Sequence, residues 1–577
     1  MAVEEVSLNL EGVSSSPNSS PNVENVAGDE RPRPRLHLVT YLAVVSVNLG
    51  FVAQNFAITG AGTQAQIIGQ TFHSSDTGWT TGVIVIFCVV LGPIVSQCAD
   101  LWGRKWFLVV LNAFGFVGSI VVARASDMPM AIAGFCVIGL SFGNQGLIHA
   151  VSGEVLPRRW RSWGQAAALV STEIGLVLGL VVAGSLNRTG GADGFRNFYY
   201  TTAAFYFAAT GLCILVYNPP PTRQQVEVVG SKLAKLDWLG FLLLAASVVL
   251  FSIALSWSQN PYSWDDLTGH VAAPFALSIA LVAVLVVYER RKPDGLFHHG
   301  LFQNRMFPIC LVCVFAEGIS FYAANVYVPL QGSVLFPDED FLYAPLRLAV
   351  GFVAAVMASV GTGLYCFLTK RVRWVTFVAL VIFVAFFAGM AGALRGIDGS
   401  DLSRALWGLP VILGVAFGMV LVTLVTAAQL CVPASLVTIS SCLMLSIRSL
   451  GGTVGFAVYQ AVYQSAMSHL DENIAQAGIA EGLPQESVPD FVSYAKERDK
   501  SDLPSIPGMN ESIVEAGAVA LRSTYKSAFY NVWVTGAAFV SAVAVLLVSV
   551  SIFMYDPTSE FTNHIDYPIE KEVDPAS

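Results

Sequence analysis

Charged residues are scarce in this 577-residue sequence: Asp, Glu, Lys and Arg together make up 12% of it, against about 25% in soluble domains. Hydrophobic residues make up 54%. Alternation of apolar and polar residues at period two is also missing, and the apolar runs are too long for strands, which argues against a β-barrel. A large soluble helical protein would show amphipathic stripes instead. The composition therefore predicts an all-α membrane protein.

Residue patterns that hold metals or nucleotides are absent as well. Of eight histidines only His298 and His299 are adjacent, and no set of residues has the spacing of metal ligands. There is no Gly-rich loop ending in Lys-Ser/Thr, which argues against direct use of ATP. The nine cysteines are scattered through the apolar runs and their ends, as small core residues are. We expect no enzyme, no cofactor, no bound metal and no nucleic-acid partner.

The first 35 residues are polar, rich in Pro, Ser and Asn, and lack the apolar stretch of a signal peptide. We therefore expect residues 1–35 to be a disordered cytoplasmic tail. The first apolar run then serves as an uncleaved membrane anchor.

Long apolar runs recur along the rest of the chain. A membrane-spanning helix needs roughly 20 apolar residues. By this criterion the sequence predicts fourteen spans, at about 37–59, 79–97, 106–123, 129–150, 164–186, 198–217, 238–257, 271–288, 307–330, 343–368, 373–394, 405–428, 436–463 and 528–555.

Basic residues between the spans predict the orientation, because cytoplasmic loops carry an excess of Lys and Arg. They cluster before span 1 and in every second connection: Arg31, Arg33, Arg35; Arg104, Lys105; Arg158, Arg159, Arg161; Arg223, Lys232, Lys235; Arg290, Arg291, Lys292, Arg305; Lys370, Arg371, Arg373. The turns after spans 1 and 7 contain none. Both termini should therefore be cytoplasmic.

The segment 468–525 then lies outside. It holds ten acidic residues against four basic ones, and we expect a solvated spacer there rather than a functional lid. Two glycosylation sequons fall on the same side, at Asn187 in the turn after span 5 and at Asn510 in the long segment.

Internal repetition indicates how the spans are organised. The turn after span 2 and the turn after span 10 share one spacing: Ser96-x3-Asp100-x2-Gly103-Arg104-Lys105 and Gly363-x3-Phe367-x2-Lys370-Arg371. Spans 5 and 13 both carry small residues at the spacing that lets helices approach closely: Gly175, Gly179, Gly184 and Gly451, Gly452, Gly455. The repeats are offset by eight spans. We therefore expect a six-helix half at 36–218, a linker and inserted pair of helices at 219–300, a second six-helix half at 301–556, and a cytoplasmic tail at 557–577.

These motifs resemble the major facilitator superfamily, in its fourteen-span drug:proton antiporter branch. The turn Asp100–Lys105 is similar to the signature turn of that superfamily, and Gly175-x3-Gly179-Leu180-x2-Ala183-Gly184 to the antiporter motif of span 5. Leu180 stands where that motif prefers Pro, and Phe135 stands where span 4 of many proton antiporters carries Arg.

A closer resemblance is to the fungal trichothecene efflux pump family. It rests on the order of several short segments: Glu154–Pro157 with Arg161, Asn218–Pro221, Asp237–Gly240, Leu255–Trp257 with Tyr262–Trp264, Leu301–Arg305 and Ile447–Gly452. The resemblance implies the major facilitator fold, about fourteen helices in two six-helix halves with an inserted pair. It also implies proton-coupled efflux of a bulky apolar toxin, drug or secondary metabolite.

Acidic and basic residues at the predicted cytoplasmic face suggest a gate. Asp100 ends span 2, Arg104 follows four residues later, and Glu154 and Arg161 flank the next cytoplasmic connection. Pairs of this kind can form when that face is closed and break when it opens. With Gly103 and Lys105 they are the candidate gating residues. The alternative is that the basic residues only set topology.

Ionisable residues inside spans are candidates for coupling. Glu173 lies about nine residues into span 5, roughly 14 Å deep, and Glu317 lies at a similar depth in span 9, in the opposite half. His149 near the inner end of span 4 and Arg448 in span 13 complete the set. The alternative reading of each is a buried group satisfied by a neighbouring helix.

Taken together, the sequence predicts a secondary active transporter whose partners are a small-molecule substrate, protons and the lipid bilayer. We expect a monomer in the plasma membrane, with the vacuolar membrane as the alternative. Uptake or export of siderophore–iron complexes is the competing transport function. A membrane sensor that does not transport is the competing class.

Overall fold

The structure is a computed structural model. It describes residues 37–74, 76–190, 194–220, 229–257, 270–292, 295–337, 339, 342–497, 506–551, 554–562 and 564–566. The predicted N-terminal tail, Arg223, the segment Tyr262–Trp264 and the last part of the predicted C-terminal tail lie outside these residues.

The described residues form nineteen α-helices and no strand. Their bounds are α1 Leu38–Thr63, α2 Ala65–Phe72, α3 Trp79–Trp102, α4 Arg104–Ala123, α5 Met128–Ser141, α6 Gln145–Glu154, α7 Arg161–Gly190, α8 Gly194–Val216, α9 Val229–Lys235, α10 Trp238–Trp257, α11 Ala272–Arg291, α12 Met306–Leu335, α13 Tyr343–Thr369, α14 Arg373–Gly396, α15 Gly399–Leu430, α16 Val437–Met467, α17 Leu470–Ala480, α18 Val488–Glu497 and α19 Glu511–Ser551.

Thirteen helical segments of the described chain are long and apolar enough to cross a membrane. They coincide with the first thirteen predicted spans. The fourth of them, Met128–Glu154, consists of α5 and α6 joined by one 3-10 turn. The fourteenth predicted span, 528–555, overlaps the second half of α19, which ends at Ser551. The all-helical membrane architecture predicted from composition is therefore confirmed.

Local sequence explains where two of these helices begin. Gly103 separates α3 from α4 with φ 101° and ψ 136°, a conformation that residues with a Cβ rarely adopt. The Gly of the signature turn is thus required by the backbone itself. Asp127 precedes α5, and its carboxylate accepts a hydrogen bond from the backbone N–H of Met130 at 2.8 Å, which caps the helix.

The spanning helices pack into two groups. In the first group, α1 packs on α7 and α8, and α4 packs on α5 and α8. In the second group, α12 packs on α16 and α19, and α14 packs on α15 and α19. The groups meet where α7 contacts α13 and α15, and where α16 contacts α3 and α6. We call the end of the bundle at which α3 ends and α4, α7, α14 and α16 begin the basic end, and the opposite end the far end.

Glycines set the closest helix contacts in both groups. A Cβ added at Gly175 of α7 would lie 2.6 Å from the carbonyl oxygen of Val52 in α1. In the second group, a Cβ at Gly451 of α16 would lie 2.2 Å from the carbonyl oxygen of Phe315 in α12. Both distances are shorter than side chains tolerate, so the backbones approach closely only because these residues are glycines. At Gly179 and Gly452 an added Cβ would meet side chains instead, Thr59 Cβ at 2.8 Å and Tyr322 Cδ2 at 2.1 Å, and at Gly184 it would meet the end of the Leu342 side chain at 2.4 Å. The contact at Gly455 is wider, 3.0 Å from Ile319 Cα.

The pair α10 and α11 lies beside the first group. The two helices pack on each other, and α10 contacts α3, where Val248 shares an apolar cluster with Val89 and Val90. Asp237, just before α10, accepts hydrogen bonds from Tyr288 Oη at 2.7 Å and Lys292 Nζ at 3.0 Å. Burial raises the pKa of Asp237, but these donors outweigh burial and hold it below its usual value.

The segment after α16 is folded, and the expectation of a solvated spacer is wrong for its described part. The helices α17, α18 and the first turns of α19 enclose an apolar cluster of their own at the far end, formed by Leu470, Ile474, Leu483, Phe491, Ile513 and Leu521. Despite its excess of acidic residues, this segment carries enough apolar residues to form a small core of its own.

We predict that Gly451→Ala lowers the melting temperature of the detergent-solubilised protein. The added methyl group must push α12 and α16 apart, and overpacking of this kind costs about 1–3 kcal/mol. Gly361→Ala in α13 is the matched control, because a Cβ there meets no atom within 4 Å. Equal melting temperatures for the two variants would contradict the packing role of Gly451.

Candidate functional site

Arg104 is the centre of an ion-pair cluster at the basic end. Its guanidinium donates to Asp100 at 3.2 Å and to the Thr438 hydroxyl at 2.6 Å, and it forms an ion pair with Glu154. The Glu154 side chain is fully buried, whereas the side chains of Arg104 and Asp100 are 11% and 18% exposed. Because Thr438 belongs to α16, this gate cluster connects the first helix group to the second.

Two predicted gating residues lie outside the gate cluster. Lys105 donates to the carbonyl oxygen of Ile214 at 2.8 Å and to Asn218 at 2.5 Å, so it binds the end of α8. Arg161 donates to the carbonyl oxygen of Gln429 at 2.7 Å and pairs with Asp566. Arg161 therefore lies beside Asp566 rather than in the cluster of Arg104 and Glu154, and nothing local in the sequence indicates so distant a carboxylate.

A second polar contact between the groups lies near the gate cluster. His149 Nδ1 and Gln165 Oε1 are 2.6 Å apart, and Gln165 Nε2 donates to Gln429 Oε1 at 3.0 Å. Gln429 donates in turn to the His149 carbonyl at 3.0 Å and to Ser441 at 2.9 Å. This polar junction joins α6 and α7 to α15 and α16, and all four side chains are buried. The imidazole of His149 is thus part of a hydrogen-bonded helix junction.

Glu317 and Arg448 form a buried ion pair inside the second group. Arg448 Nε and a terminal nitrogen donate to the two carboxylate oxygens of Glu317 at 2.6 and 3.1 Å, a bidentate arrangement. The guanidinium carbon lies 4.4 Å from the ring centre of Phe321 and 5.5 Å from that of Phe417. The two rings stack at 4.8 Å. The pair is therefore bounded by aromatic faces that favour a cation.

Close backbone contact makes this ion pair possible. Gly318 follows Glu317, and a Cβ there would lie 2.0 Å from the carbonyl oxygen of Arg448. The absence of a side chain at Gly318 lets α12 and α16 touch at this level. Because α12 and α16 are so close here, the side chains of Glu317 and Arg448 contact each other directly.

Glu173 lies apart from this pair, at the contact between α7 and α13. Its Oε1 accepts a hydrogen bond from the Ser359 hydroxyl at 3.0 Å, and the side chain is buried. Its Oε2 has no hydrogen-bond partner among the described residues. A carboxylate left in this setting would be costly, so the neutral acid suits the site better.

Sequence reasoning missed the residues that complete these contacts: Thr438, Gln165, Gln429, Ser441 and Asp566. Gln165, Thr438 and Ser441 are polar side chains within predicted spans, a signal that was available. Gln429 and Asp566 lie outside the predicted spans and carry no such signal. Phe135, which replaces an Arg typical of proton antiporters, is buried and packs edge-on against Tyr199 with ring centres 5.5 Å apart.

The two sequons lie in different settings. Asn187 lies within α7, which continues to Gly190, so its expected location in a turn is wrong. Asn510 is exposed just before α19, and its Oδ1 accepts hydrogen bonds from Ser512 Oγ at 2.7 Å and Ile513 N–H at 2.8 Å. Of the two, Asn510 is better exposed to a glycosylating enzyme.

Solved structures share this architecture. The proton:xylose symporter XylE bound to 6-bromo-6-deoxy-D-glucose has a TM-score of 0.52 at 12% identity, covering 75% of this chain and 90% of that chain. A double-Trp mutant of XylE has a TM-score of 0.54 at 11% identity, covering 90% and 98%. The fold is therefore that of the major facilitator superfamily, a class of multi-pass membrane transporters.

Sequence comparison gives the family. Residues 29–574 match the family described as Fungal trichothecene efflux pump (TRI12), and the chain belongs to that family. It is similar to the trichothecene efflux pump TRI12 of Fusarium sporotrichioides, 23% identical over 561 residues, covering 92% of this chain and 88% of that protein. It is also similar to the efflux pump apf11 of Gibberella fujikuroi, 23% identical over 451 residues, covering 75% and 77%. The protein is thus an efflux transporter and not an enzyme.

We predict that Glu154→Gln slows transport roughly tenfold at normal membrane abundance, because it removes the buried counter-charge of Arg104. Asp100→Asn should have a smaller effect, since Asp100 is partly exposed and accepts one longer hydrogen bond. The measurement is the initial rate of efflux of a transported small molecule, normalised to protein in the membrane.

The control for the gate cluster is Asp401→Asn, whose side chain is 68% exposed and pairs with Arg404 at the far end. Such surface pairs contribute about 0–1 kcal/mol, so this variant should transport normally. An unchanged rate in Glu154→Gln would rule out the gating role of the cluster.

Proposed function

We propose that this protein is a proton-coupled exporter of a bulky, largely apolar secondary metabolite, working as a monomer in the plasma membrane with its basic end in the cytosol. The family supports efflux of a small molecule. The basic end carries the Lys and Arg excess that cytoplasmic loops show.

The single observation that carries the proposal is the Glu317–Arg448 ion pair. A carboxylate and a guanidinium that bind each other so closely respond as a unit, because protonation of Glu317 removes its negative charge and with it the charge–charge attraction to Arg448. An ionised Glu317 accepts a hydrogen bond from a donor group on the substrate more strongly than the neutral acid does. A proton that binds Glu317 from the outside therefore displaces the substrate, and loss of that proton to the cytosol restores the site. Proton and substrate thus bind alternately, as an antiporter requires.

The surroundings of the pair fit an apolar substrate. Phe321 and Tyr322 are partly exposed, and Phe321 stacks on Phe417 beside the guanidinium. Binding pockets for bulky apolar ligands combine such aromatic walls with a few placed polar groups. Here the Glu317–Arg448 pair supplies the polar groups, and the rings supply the contact area.

Glu173 is the second proposed coupling carboxyl. It lies between α7 and α13, where the two helix groups meet, and Ser359 is its hydrogen-bond donor. A neutral Glu173 can stay buried in that contact, whereas an ionised one favours hydration and therefore separation of the helices. Its protonation would thereby be linked to the movement of the groups.

Release of the substrate requires the helix groups to separate in turn at each end of the bundle. At the basic end the groups are joined through the gate cluster and the polar junction. These contacts must break for the cytosolic entrance to open. Transporters achieve alternating access in this way when one rigid helix group rocks against the other and exchanges such contacts.

We predict that proteoliposomes with an acidic interior accumulate a trichothecene probe in exchange for departing protons. Glu317→Gln should still bind the probe and carry out downhill exchange, but should lose accumulation, because the amide keeps the shape of the side chain and cannot titrate. Glu173→Gln should lose it as well if both carboxyls couple. The measurement is probe uptake with and without the imposed pH difference.

The control variant is Glu472→Gln, an exposed side chain of α17. If both buried Gln variants respond fully to the pH difference, coupling through these carboxyls is wrong, and His149 or Asp100 becomes the next candidate. Transport of a ferric siderophore without transport of the trichothecene would replace the substrate assignment.

We also predict that an epitope tag next to Asn510 labels intact cells. This residue lies at the far end, which the proposed orientation exposes to the outside. Glycosylation at Asn510 would appear as a mass shift that Asn510→Gln and enzymatic deglycosylation both remove. Labelling that requires permeabilised cells would invert the orientation.

A further inference from the structure

The residues that follow α19 cross the basic end of the bundle. We call residues 554–562 and 564–566 the strap. Its contacts with the second helix group come first along the chain. Asp556 accepts hydrogen bonds from the backbone N–H groups of Val372 and Arg373 at 2.8 and 3.0 Å, at the start of α14. Met554 and Phe561 are buried in the apolar core of the second group.

The later residues of the strap bind the first helix group. The backbone N–H groups of Arg158 and Arg159 donate to the carbonyl oxygens of His564 and Thr562 at 2.9 and 2.8 Å. These contacts lie immediately before α7. A single segment is thus attached to both groups at the end where they must separate.

The strongest of these contacts is a buried ion pair. Arg161, at the first position of α7, pairs with Asp566, and the side chains are 1% and 0% exposed. Asp566 also accepts a hydrogen bond from Arg158 Nε at 3.1 Å. Arg161 in turn donates to the carbonyl oxygen of Gln429 at the end of α15. Separating the groups would leave both charges to be rehydrated, which is costly unless water enters as they part.

We infer that the strap is a second latch of the basic-end gate and that Asp566 is its positioning residue, acting through Arg161. The strap remains bound to the second group through Asp556, and the contact with Arg161 forms and breaks as the gate closes and opens. This inference goes beyond the proposed function, because it requires neither a particular substrate nor proton coupling.

The chain carries a native probe of this gate. Cys442 is fully buried in α16, and a Cβ added at Gly146 of α6 would lie 2.2 Å from its Cα atom. Its thiol therefore becomes accessible to a maleimide when α16 leaves α6. Cys213 and Cys313 are also fully buried, but they lie within the separate groups and report general loosening of the fold.

We predict that Asp566→Asn increases the rate at which N-ethylmaleimide modifies Cys442 by at least about tenfold, because the buried Arg161 loses its counter-charge in the closed state. Modification of Cys213 and Cys313 should not change. The rates are read by mass spectrometry of the full-length purified protein. Asp471→Asn is the matched control, since its pair with Lys496 is exposed and lies at the far end.

A double-mutant cycle tests whether Asp566 acts through Arg161. Arg161→Gln should also speed the modification of Cys442, and adding Asp566→Asn to Arg161→Gln should cause no further increase. If Asp566→Asn alone does not fold, the comparison of Arg161→Gln with the double variant still shows whether Asp566 has an effect once Arg161 is gone. Fully additive effects, equal acceleration at all three cysteines, or wild-type rates in Asp566→Asn would each overturn the inference.

Discussion

Burial of charge in an apolar helix bundle is the constraint on which the rest of this structure depends. A charged side chain inside a membrane protein must find a partner, because neither lipid nor apolar side chains can replace its hydration shell. Arg104, Arg161 and Arg448 obey this rule in the same way, each beside a carboxylate from another part of the chain. Every such pair fixes the distance between the helices that carry it. Arginine suits this role because its planar guanidinium can bind several acceptors at once.

Glycine contacts supply the close helix approaches that such pairing needs. The contact of α7 with α1 at Gly175 and the contact of α16 with α12 at Gly451 and Gly318 use the same device in the two helix groups. In the second group the short distance also brings Arg448 to Glu317. Packing and electrostatics are therefore not separate contributions here, since the small residues decide which charged side chains can meet.

The polar contacts divide by location into two kinds. The pair Glu317–Arg448 lies within one helix group, so it can persist while the groups move as rigid bodies. The gate cluster, the polar junction and the strap join the two groups at the basic end, so each must change when that end opens. Glu173 lies between the groups as well, at the α7–α13 contact. The Glu317–Arg448 pair is thereby separate from the contacts that hold the closed state, whereas Glu173 lies among the contacts between the groups.

The sequence by itself determined the spanning helices and their order, because a run of about 20 apolar residues becomes a membrane helix from local composition alone. The sequence also determined the break between α3 and α4, because the backbone there has a φ of 101° and Gly103 is the residue type that adopts it readily. Tertiary structure decided which charges meet. Glu317 and Arg448 are separated by 131 positions and Arg161 and Asp566 by 405, and nothing local in either segment reports such pairs. For the same reason nothing near Arg161 in the sequence indicates Asp566 as its partner, and the acidic residues after α16 do not reveal the folded helices there. Pairing depends on how helices pack, and packing is settled only when all of them are present.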